Sequence, residues 1–234
     1  MTVKRPTLVG ATVDELIQFI EDRQLAAGDT LPPTAELAEQ LDVSRTVVRE
    51  AIAELAGQGL LSRRQGKDTT ITFPGGRELE RILRLRSALG FRAEPGLSQW
   101  RSILLAGAAG YAAREATLDD ATSIATYVRD LANASSVDAS VSTEENLHLA
   151  IAEISRNDIT TLSLEGTLTL VRPTRMKVWT DIRRNPERMA LVDQALGALV
   201  NAVQTRDSEG ATRAMNEYLA ATSASFNETV ASYH

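Results

Sequence analysis

Basic and hydroxyl side chains cluster between residues 44 and 67 in a spacing suited to binding nucleic acid. Arg45 and Arg49 are four residues apart, so in a helix they share one face, with Thr46 beside them. Arginine can donate two hydrogen bonds to a guanine edge or hold a phosphate, and threonine can do either more weakly. Ser44 precedes them and is a good helix N-cap. The cluster therefore predicts contacts to double-stranded DNA from the start of a helix.

Three short helices are expected to position this cluster. Hydrophobic spacing predicts helices over 13–24, 34–41 and 44–57. Thr34 follows two prolines and is expected to cap the second helix. In the third helix Val48, Ile52 and Leu55 recur at helical spacing and must face inward, which leaves the arginines exposed. Two helices joined by a three-residue turn, the second presenting arginine at its start, form the helix-turn-helix geometry that a major groove accepts.

The residues after the third helix predict a charged β-hairpin. Residues 60–72 form two short stretches of strand pattern around a tight turn that contains Gly66. The basic residues Arg63, Arg64 and Lys67 lie at or near its tip. A charged hairpin directly after a helix-turn-helix is typical of a wing that reaches the DNA backbone or minor groove. The alternative is that these charges only keep the hairpin solvated.

Four motifs follow one another within residues 13–72, and their order resembles that of a known family. They are GDTLP at 28–32, LAEQL at 37–41, VSRTVVREA at 43–51 and the Leu55…Gly59-Leu60-Leu61 segment. This arrangement resembles the DNA-binding domain of the GntR family. The resemblance implies that Arg45, Thr46, Arg49 and the wing around Gly66 contact the operator.

Two positions depart from the family pattern. The family usually has Ser-Glu-Arg after the proline, where this chain has Pro33-Thr34-Ala35, and the missing arginine often contacts DNA. The wing usually contains a second glycine, which Asp68 replaces here. The operator sequence or the affinity is therefore expected to differ from that of relatives.

Composition excludes several classes of protein. The 234 residues contain no cysteine, which excludes disulfides, thiolate catalysis and cysteine-ligated zinc. No apolar run approaches 18 residues and the first residues lack a signal-peptide pattern, so we expect a soluble, cytoplasmic protein with no membrane partner. The net charge of −6, and an excess of acidic over basic residues in 1–72, mean that DNA binding must depend on a local basic face.

The chain is predicted to be mainly α and to contain two domains. Phe73-Pro74-Gly75-Gly76 interrupts both periodicities, which divides the chain into a winged helix-turn-helix at 1–72, a linker at 73–77 and a second domain at 78–234. Aromatic residues make up only 4% of the chain, which favours helix over sheet. The second domain is predicted to be an all-α bundle of seven helices. Their ranges are 78–90, 97–115, 118–133, 141–156, 159–181, 186–205 and 208–231.

Three looser motifs, within 101–117, 147–157 and 202–219, resemble the FCD ligand-binding domain of the FadR subfamily. Many members hold a divalent metal ion there with one Asp and three His. In this register the four positions are Glu144, His148, Leu196 and Tyr218. The chain has only two histidines, and a carboxylate and one His cannot close a transition-metal site. We therefore expect a degenerate metal site, no cofactor and a metal-free effector pocket.

Arginine is the expected carboxylate partner in such a pocket. Arg101 matches the Arg of the family's Arg-x-x-Leu-Glu motif, although Leu105 replaces its Glu. Arg172 and Arg175 are weaker candidates because a helical arginine is usually solvated or in a surface pair. A metal-free relative senses acyl-CoA thioesters, so the effector is expected to be an organic acid or an acyl-CoA-like molecule.

Three functions are compatible with the sequence. The first is a ligand-responsive transcription regulator, a homodimeric repressor on a palindromic operator whose domains shift when effector binds. The second is a constitutive DNA-binding protein whose bundle only dimerises. The third is a metal-dependent enzyme, suggested only by Glu144 and His148, without a Ser/His/Asp set or a phosphate-binding loop. The sequence favours the first and predicts no enzyme activity.

Overall fold

The computed structural model describes residues 7–63, 68–72, 75–88 and 93–231, and these form ten helices and two strands. The chain divides into two compact units, Met1–Glu78 and Leu79–His234. Each unit has its own hydrophobic core. The predicted mainly α fold, with an N-terminal winged helix-turn-helix and a C-terminal helical bundle, is confirmed. No helix among the described residues is long and apolar enough to cross a membrane.

The N-terminal unit contains the three predicted helices and the hairpin. Its elements are α1 (Leu8–Asp22), α2 (Thr34–Gln40), α3 (Arg45–Gly57), β1 (Leu61–Arg63) and β2 (Thr69–Ile71). Helix α1 begins earlier than predicted because the Thr7 hydroxyl accepts a hydrogen bond from the Gly10 N–H at 3.1 Å and caps it. The prediction that Thr34 caps α2 is wrong. Pro33 occupies the N-cap position without a side-chain cap bond, and Thr34 is the first helical residue.

The two strands pair antiparallel, as predicted, with Leu61 opposite Ile71. The structure adds a contact that the sequence pattern did not indicate. The loop between α1 and α2 pairs with β2, because the Leu31 N–H donates to the Thr69 carbonyl at 2.9 Å and the Ile71 N–H donates to the Asp29 carbonyl at 2.8 Å. The base of the wing is therefore tied to the loop that leads into the helix-turn-helix.

The seven predicted helices of the second domain are present, with ends shifted by a few residues. They are α4 (Gly76–Ala88), α5 (Ala93–Glu115), α6 (Leu118–Ala132), α7 (Val137–Ile154), α8 (Asp158–Arg184), α9 (Pro186–Gln204) and α10 (Ser208–Ala231). Helix α4 begins inside the segment predicted as a linker. Helices α5 and α7 each start four residues earlier than predicted, and α7 starts at Val137 because the Ser136 hydroxyl accepts from the Ala139 N–H. Thr117 and Asp120 form a reciprocal capping box at the start of α6.

Leucine, isoleucine, valine and alanine fill most of the C-terminal core, with Trp179 and Tyr218 as its largest buried side chains. Small residues let α5 and α10 approach closely. The Ser208 hydroxyl donates to the Gly110 carbonyl at 2.8 Å, and a Cβ atom at Gly110 would lie 2.5 Å from Thr212 Oγ1. Gly110 is therefore required by packing between the two helices.

We expect Gly110→Ala to lower the free energy of unfolding of the C-terminal domain by about 1–3 kcal/mol, because the added methyl group overpacks the contact between α5 and α10. The measurement is denaturant unfolding followed by tryptophan fluorescence, since Trp100 and Trp179 both lie in this domain. Gly197→Ala in α9 is the matched control. Its Cβ would meet no atom within 4 Å, so helix propensity should raise stability by up to about 1 kcal/mol. Equal effects of the two substitutions would refute the packing argument.

Candidate DNA-binding surface and effector site

The start of α3 presents the predicted DNA-binding residues to solvent. The Val47 N–H donates to the Ser44 hydroxyl at 3.3 Å, so Ser44 caps the helix as predicted. Side chains on the opposite face are buried in the N-terminal core, namely Val48, Ala51, Ile52 and Leu55. The predicted contact residues Ser44, Arg45, Thr46 and Arg49 are all exposed at this end of the helix. Burial of one face thus fixes the direction in which the two guanidinium groups point.

The wing is described only in part. Arg63 lies at the end of β1 and is exposed. Arg64, Gly66 and Lys67 lie outside the described residues. The described surface therefore comprises the α3 residues and Arg63, all in the N-terminal unit.

A second group of predicted residues meets inside the C-terminal domain. Five of them come from four different helices, and each of these five side chains is at least 95% buried. The members are Arg101 on α5, Glu144 and His148 on α7, Arg175 on α8 and Tyr218 on α10. We call these five residues the buried polar cluster. Charged side chains are almost never buried without partners, so their contacts decide what the cluster can do.

An ion pair between Glu144 and Arg175 forms the centre of the cluster. Arg175 donates from Nε to Glu144 Oε2 at 2.8 Å and from Nη2 to Glu144 Oε1, which is a bidentate geometry. The Tyr218 hydroxyl donates to the same Oε1 atom. Arg175 Nη1 also donates to the backbone carbonyl of Thr222 at 3.4 Å. The carboxylate of Glu144 is thereby satisfied by side chains alone.

Arg101 and His148 border this ion pair and are less completely bonded. Arg101 Nη1 lies 3.4 Å from His148 Nδ1. Because a guanidinium only donates, Nδ1 must accept, and a neutral imidazole then carries its proton on Nε2. Arg101 Nε and His148 Nε2 are both buried and have no hydrogen-bond partner among the described residues. The His148 ring lies edge-on to Tyr218, with 5.9 Å between ring centroids.

Burial and the neighbouring charges set the protonation state of each member. Burial, helped by Arg101 and Arg175, lowers the pKa of His148 to about 3, so the ring is neutral at pH 7. Burial lowers the pKa of Arg101 to about 10, which leaves it charged. Burial alone would raise the pKa of Glu144, but the surrounding groups, led by the charge and hydrogen bonds of Arg175, together outweigh burial and hold this pKa below its ordinary value. Burial and Glu144 raise the pKa of Tyr218, which stays a hydroxyl donor. The cluster carries two cations and one anion.

Two of the predicted effector residues lie apart from these contacts. Leu196 is buried in the apolar core of the same domain. Arg172 is partly exposed and donates to Asp138 at 2.8 Å, to Ser142 at 3.1 Å and to Glu145. Arg172 therefore joins α7 to α8 in a surface ion-pair network and does not enter the buried polar cluster.

The sequence ranks Arg175 as a weaker candidate because a helical arginine is usually solvated, but it is buried, and the sequence holds a signal for this. Arg175 stands in the apolar register of α8, four residues after Val171 and three before Val178, and both valines are buried. Arg172 is out of this register. A charged residue in the buried stripe of an amphipathic helix must find a buried partner, and Glu144 occupies the corresponding place on α7.

The residues at the four positions where relatives have metal ligands do not fit a metal ion. Leu196 offers no ligand atom, and Tyr218 uses its hydroxyl hydrogen on Glu144. Arg175 holds both oxygens of the Glu144 carboxylate. A divalent cation beside two guanidinium groups would also be repelled. Among the described residues no group of three or more His, Cys, Asp and Glu side chains is placed to hold a metal ion.

Comparison with known families agrees with both units. Residues 8–71 match the profile of the bacterial regulatory proteins of the gntR family, and residues 97–221, more than half of the chain, match the FCD domain. The chain belongs to the GntR family and carries an FCD domain. The predicted family is thereby confirmed, and so is the prediction of a DNA-binding regulator in place of an enzyme. Assignment to the FadR subfamily stays a prediction.

Full-length relatives of this GntR-family protein are also regulators. It is 28% identical to a provisionally assigned regulatory protein of the L-lactate dehydrogenase operon of Escherichia coli K12, over 94% of this chain and 86% of the relative. It is 27% identical to the transcriptional repressor NanR of Enterobacter sp. 638, over 95% and 86%. A solved GntR structure from Streptococcus agalactiae has the same fold, with a TM-score of 0.68, 24% identity and coverage of 93% and 99%.

The neutral His148 predicts a pH dependence of stability. In the unfolded chain this histidine binds a proton near its ordinary pKa of 6.5, whereas in the folded domain it binds one only near pH 3. The unfolded state therefore takes up more protons as the pH falls, and stability falls with it. Between pH 7 and pH 5 this histidine should lower the free energy of unfolding by about 2 kcal/mol. Glu144 changes the free energy of unfolding with pH only below its ordinary pKa of 4.5, which lies outside the range from pH 7 to pH 5.

The measurement is denaturant unfolding, followed by tryptophan fluorescence, of the wild type and of His148→Gln at pH 7 and pH 5. The stability of the variant should change less between the two pH values. The other histidine, His234, is present in both proteins, so its titration cancels. Parallel pH dependences would show that His148 is protonated inside the folded domain.

Proposed function

We propose that this protein is a ligand-responsive repressor that binds a palindromic operator as a homodimer and is released when a small molecule binds its FCD domain. The observation that carries the proposal is the pairing of an exposed arginine face at the start of α3 with a buried polar cluster in the other unit. The first suits a DNA groove, and the second suits recognition of a small polar molecule. The proposal extends the established assignment of the chain as a DNA-binding GntR-family regulator.

The exposed end of α3 is proposed as the element that reads the operator. Arg45, Thr46 and Arg49 project from the first turns of a capped helix, which is the part of a recognition helix that reaches base edges. Arg63, and in the proposal also Arg64, Gly66 and Lys67 of the wing, would contact the phosphate backbone or the minor groove. Phosphate contacts position the domain, and base contacts determine the sequence that it prefers.

Arg49→Ala should weaken binding to the DNA upstream of the protein's own gene by at least about tenfold, since a bidentate contact to a base is worth roughly 1–3 kcal/mol. Mobility shift or fluorescence anisotropy at fixed salt gives the affinity. Arg23→Ala is the matched control, because it removes an exposed cation of the same unit that stacks on Phe19 of α1 and donates to Gln40 of α2. Undiminished binding by Arg49→Ala, or an equal loss with Arg23→Ala, would contradict the proposed contact face.

An apolar strip on α5 supports dimerisation through the FCD domain. Three large hydrophobic side chains are exposed along one side of the helix: Trp100 at 46%, Ile103 at 62% and Tyr111 at 54%. Exposed Gly96, Gln99 and Gly107 complete this side, which carries no charged residue from 96 to 111. The strip ends at Tyr111, where the Arg114 guanidinium lies 4.6 Å from the ring centroid. A mainly apolar helix face of this length suits a second copy of the same face, because a twofold axis pairs identical surfaces. A palindromic operator requires such a dimer.

Ile103→Glu should convert the dimer into monomers, because the new carboxylates would be buried against each other across the twofold interface. Light scattering coupled to size exclusion gives the mass of each protein. Ile159→Glu on α8 is the control, since Ile159 is 70% exposed outside the strip and its substitution should leave the mass unchanged. A wild-type monomer, or a dimer that survives Ile103→Glu, would contradict this interface.

The buried polar cluster favours a ligand-responsive protein over a constitutive DNA-binding protein whose bundle only dimerises. A bundle that served dimerisation alone would be as stable with well-packed apolar residues in place of a buried ion pair. The effector is proposed to be a small carboxylate or an acyl-type molecule.

Relatives include NanR, named as a repressor, and the Glc operon protein of Escherichia coli K12, named as an activator. A reporter gene fused to the upstream DNA distinguishes repression from activation. Deletion of the gene for this protein should raise reporter expression if the protein is a repressor.

A further inference from the structure

The buried polar cluster has an unbalanced charge. Arg175 is neutralised by Glu144 through two hydrogen bonds. Arg101 has no carboxylate of its own among the described residues, and the charged groups that act on it are Arg175 and Glu144. His148 is neutral and Tyr218 is protonated, so neither supplies a negative charge. A full positive charge therefore lies buried on Arg101 without a counter-ion, which is costly in a low-dielectric interior.

The unpaired polar atoms of the cluster are both hydrogen-bond donors. Arg101 Nε carries a hydrogen in every state of the guanidinium. His148 Nε2 carries the ring proton because Nδ1 accepts from Arg101. Neither donor has an acceptor among the described residues, although each side chain is at least 97% buried. Arg101 and His148 are joined through Arg101 Nη1 and His148 Nδ1, so both side chains belong to the same part of the buried polar cluster. A group that supplies acceptor oxygens and one negative charge would satisfy both deficiencies.

Arg175 explains why such a group needs no metal ion. Glu144 and Tyr218, which stand at two of the positions where relatives have metal ligands, both bond within one network that is centred on the Arg175 guanidinium. This guanidinium provides the positive charge that a metal ion would provide and is fixed by its bonds to Glu144. Its charge is fully used by Glu144, whereas that of Arg101 remains available.

We propose that Arg175 replaces the metal ion of related FCD domains and that Arg101 and His148 bind the carboxylate of a small monoanionic effector through Arg101 Nε–H and His148 Nε2–H, without a metal. This inference rests on the proposed function, in that the bound carboxylate would be the effector. Of the two proposed effector classes, a small carboxylate and an acyl-type molecule, this site favours the carboxylate. A long acyl chain bound through a thioester carbonyl would leave the charge of Arg101 unbalanced.

Thermal unfolding in EDTA tests the carboxylate site. The probes are formate, acetate and L-lactate, with chloride at equal ionic strength and lactamide, the neutral isostere of lactate, as controls. At about ten times its dissociation constant a bound carboxylate should raise the Tm by about 3 °C or more, and lactamide should not. Octanoyl-CoA tests the acyl alternative. Stabilisation by octanoyl-CoA alone, or by none of the carboxylates, would overturn the proposal.

Variants identify the atoms that bind. Arg101→Gln should weaken carboxylate binding by about 10- to 100-fold, since a charged hydrogen bond is lost, while the Tm of the free protein stays equal or rises because an uncompensated buried charge is removed. A merely structural arginine would instead lower the Tm of the free protein. His148→Gln keeps a donor and should weaken binding less than His148→Leu. Undiminished carboxylate stabilisation in Arg101→Gln would overturn the assignment of the site.

Elemental analysis and Arg175 variants test the replacement of the metal. The purified protein should contain less than a tenth of an equivalent of zinc, nickel or manganese, and added zinc should not change the affinity for the carboxylate. Arg175→Met should destabilise the domain, because Glu144 loses its partner, and Arg175→Lys should restore part of the stability. Stoichiometric metal that is required for binding would overturn the proposal. Binding to the upstream DNA is measured without any ligand, so a failure of the proposed DNA-binding function is distinguishable from a failure at this site.

Discussion

The buried ion pair between Glu144 and Arg175 is the constraint on which the C-terminal domain depends. It joins α7 to α8 inside an apolar core, and Tyr218 of α10 bonds to the same carboxylate. Taking either charge away would leave the other buried and unpaired, which is among the most destabilising changes that a core can undergo. The pair therefore joins three helices and fixes the place of His148 on α7, which in turn lies 3.4 Å from Arg101 of α5.

The same pair accounts for the chemistry of its surroundings. Because Arg175 neutralises Glu144, the charge of Arg101 is left without a partner. Burial, helped by the two nearby arginines, lowers the pKa of His148 and keeps its ring neutral. A cluster with an excess of positive charge and free N–H donors is suited to an anion. It is unsuited to a metal ion, which would need free lone pairs and negative charge.

In the N-terminal unit the main constraint is the burial of one face of α3, which leaves the other face exposed. Val48, Ile52 and Leu55 pack into the core, so Arg45 and Arg49 must be exposed. The net charge of the chain is negative, so contact with a polyanion would have to come from the local arginine face at this capped helix start. The hydrogen bonds between β2 and the loop before α2 tie the base of the hairpin to the helix-turn-helix.

The sequence by itself determined the fold class, the helices of both domains and the exposed arginines of α3. Each of these depends on local periodicity and capping, as at Ser44 and Thr117, and such patterns act over a few residues. The resemblance to the FCD domain singled out Glu144 and His148, whose spacing of four residues places them on one face of α7. It did not reveal where the loop before α2 pairs, because strand pairing joins residues far apart in the chain. Only the tertiary structure decided that Arg175 meets Glu144 while Arg172 stays at the surface, because the partner of a buried charge lies on another helix, 31 residues away along the chain.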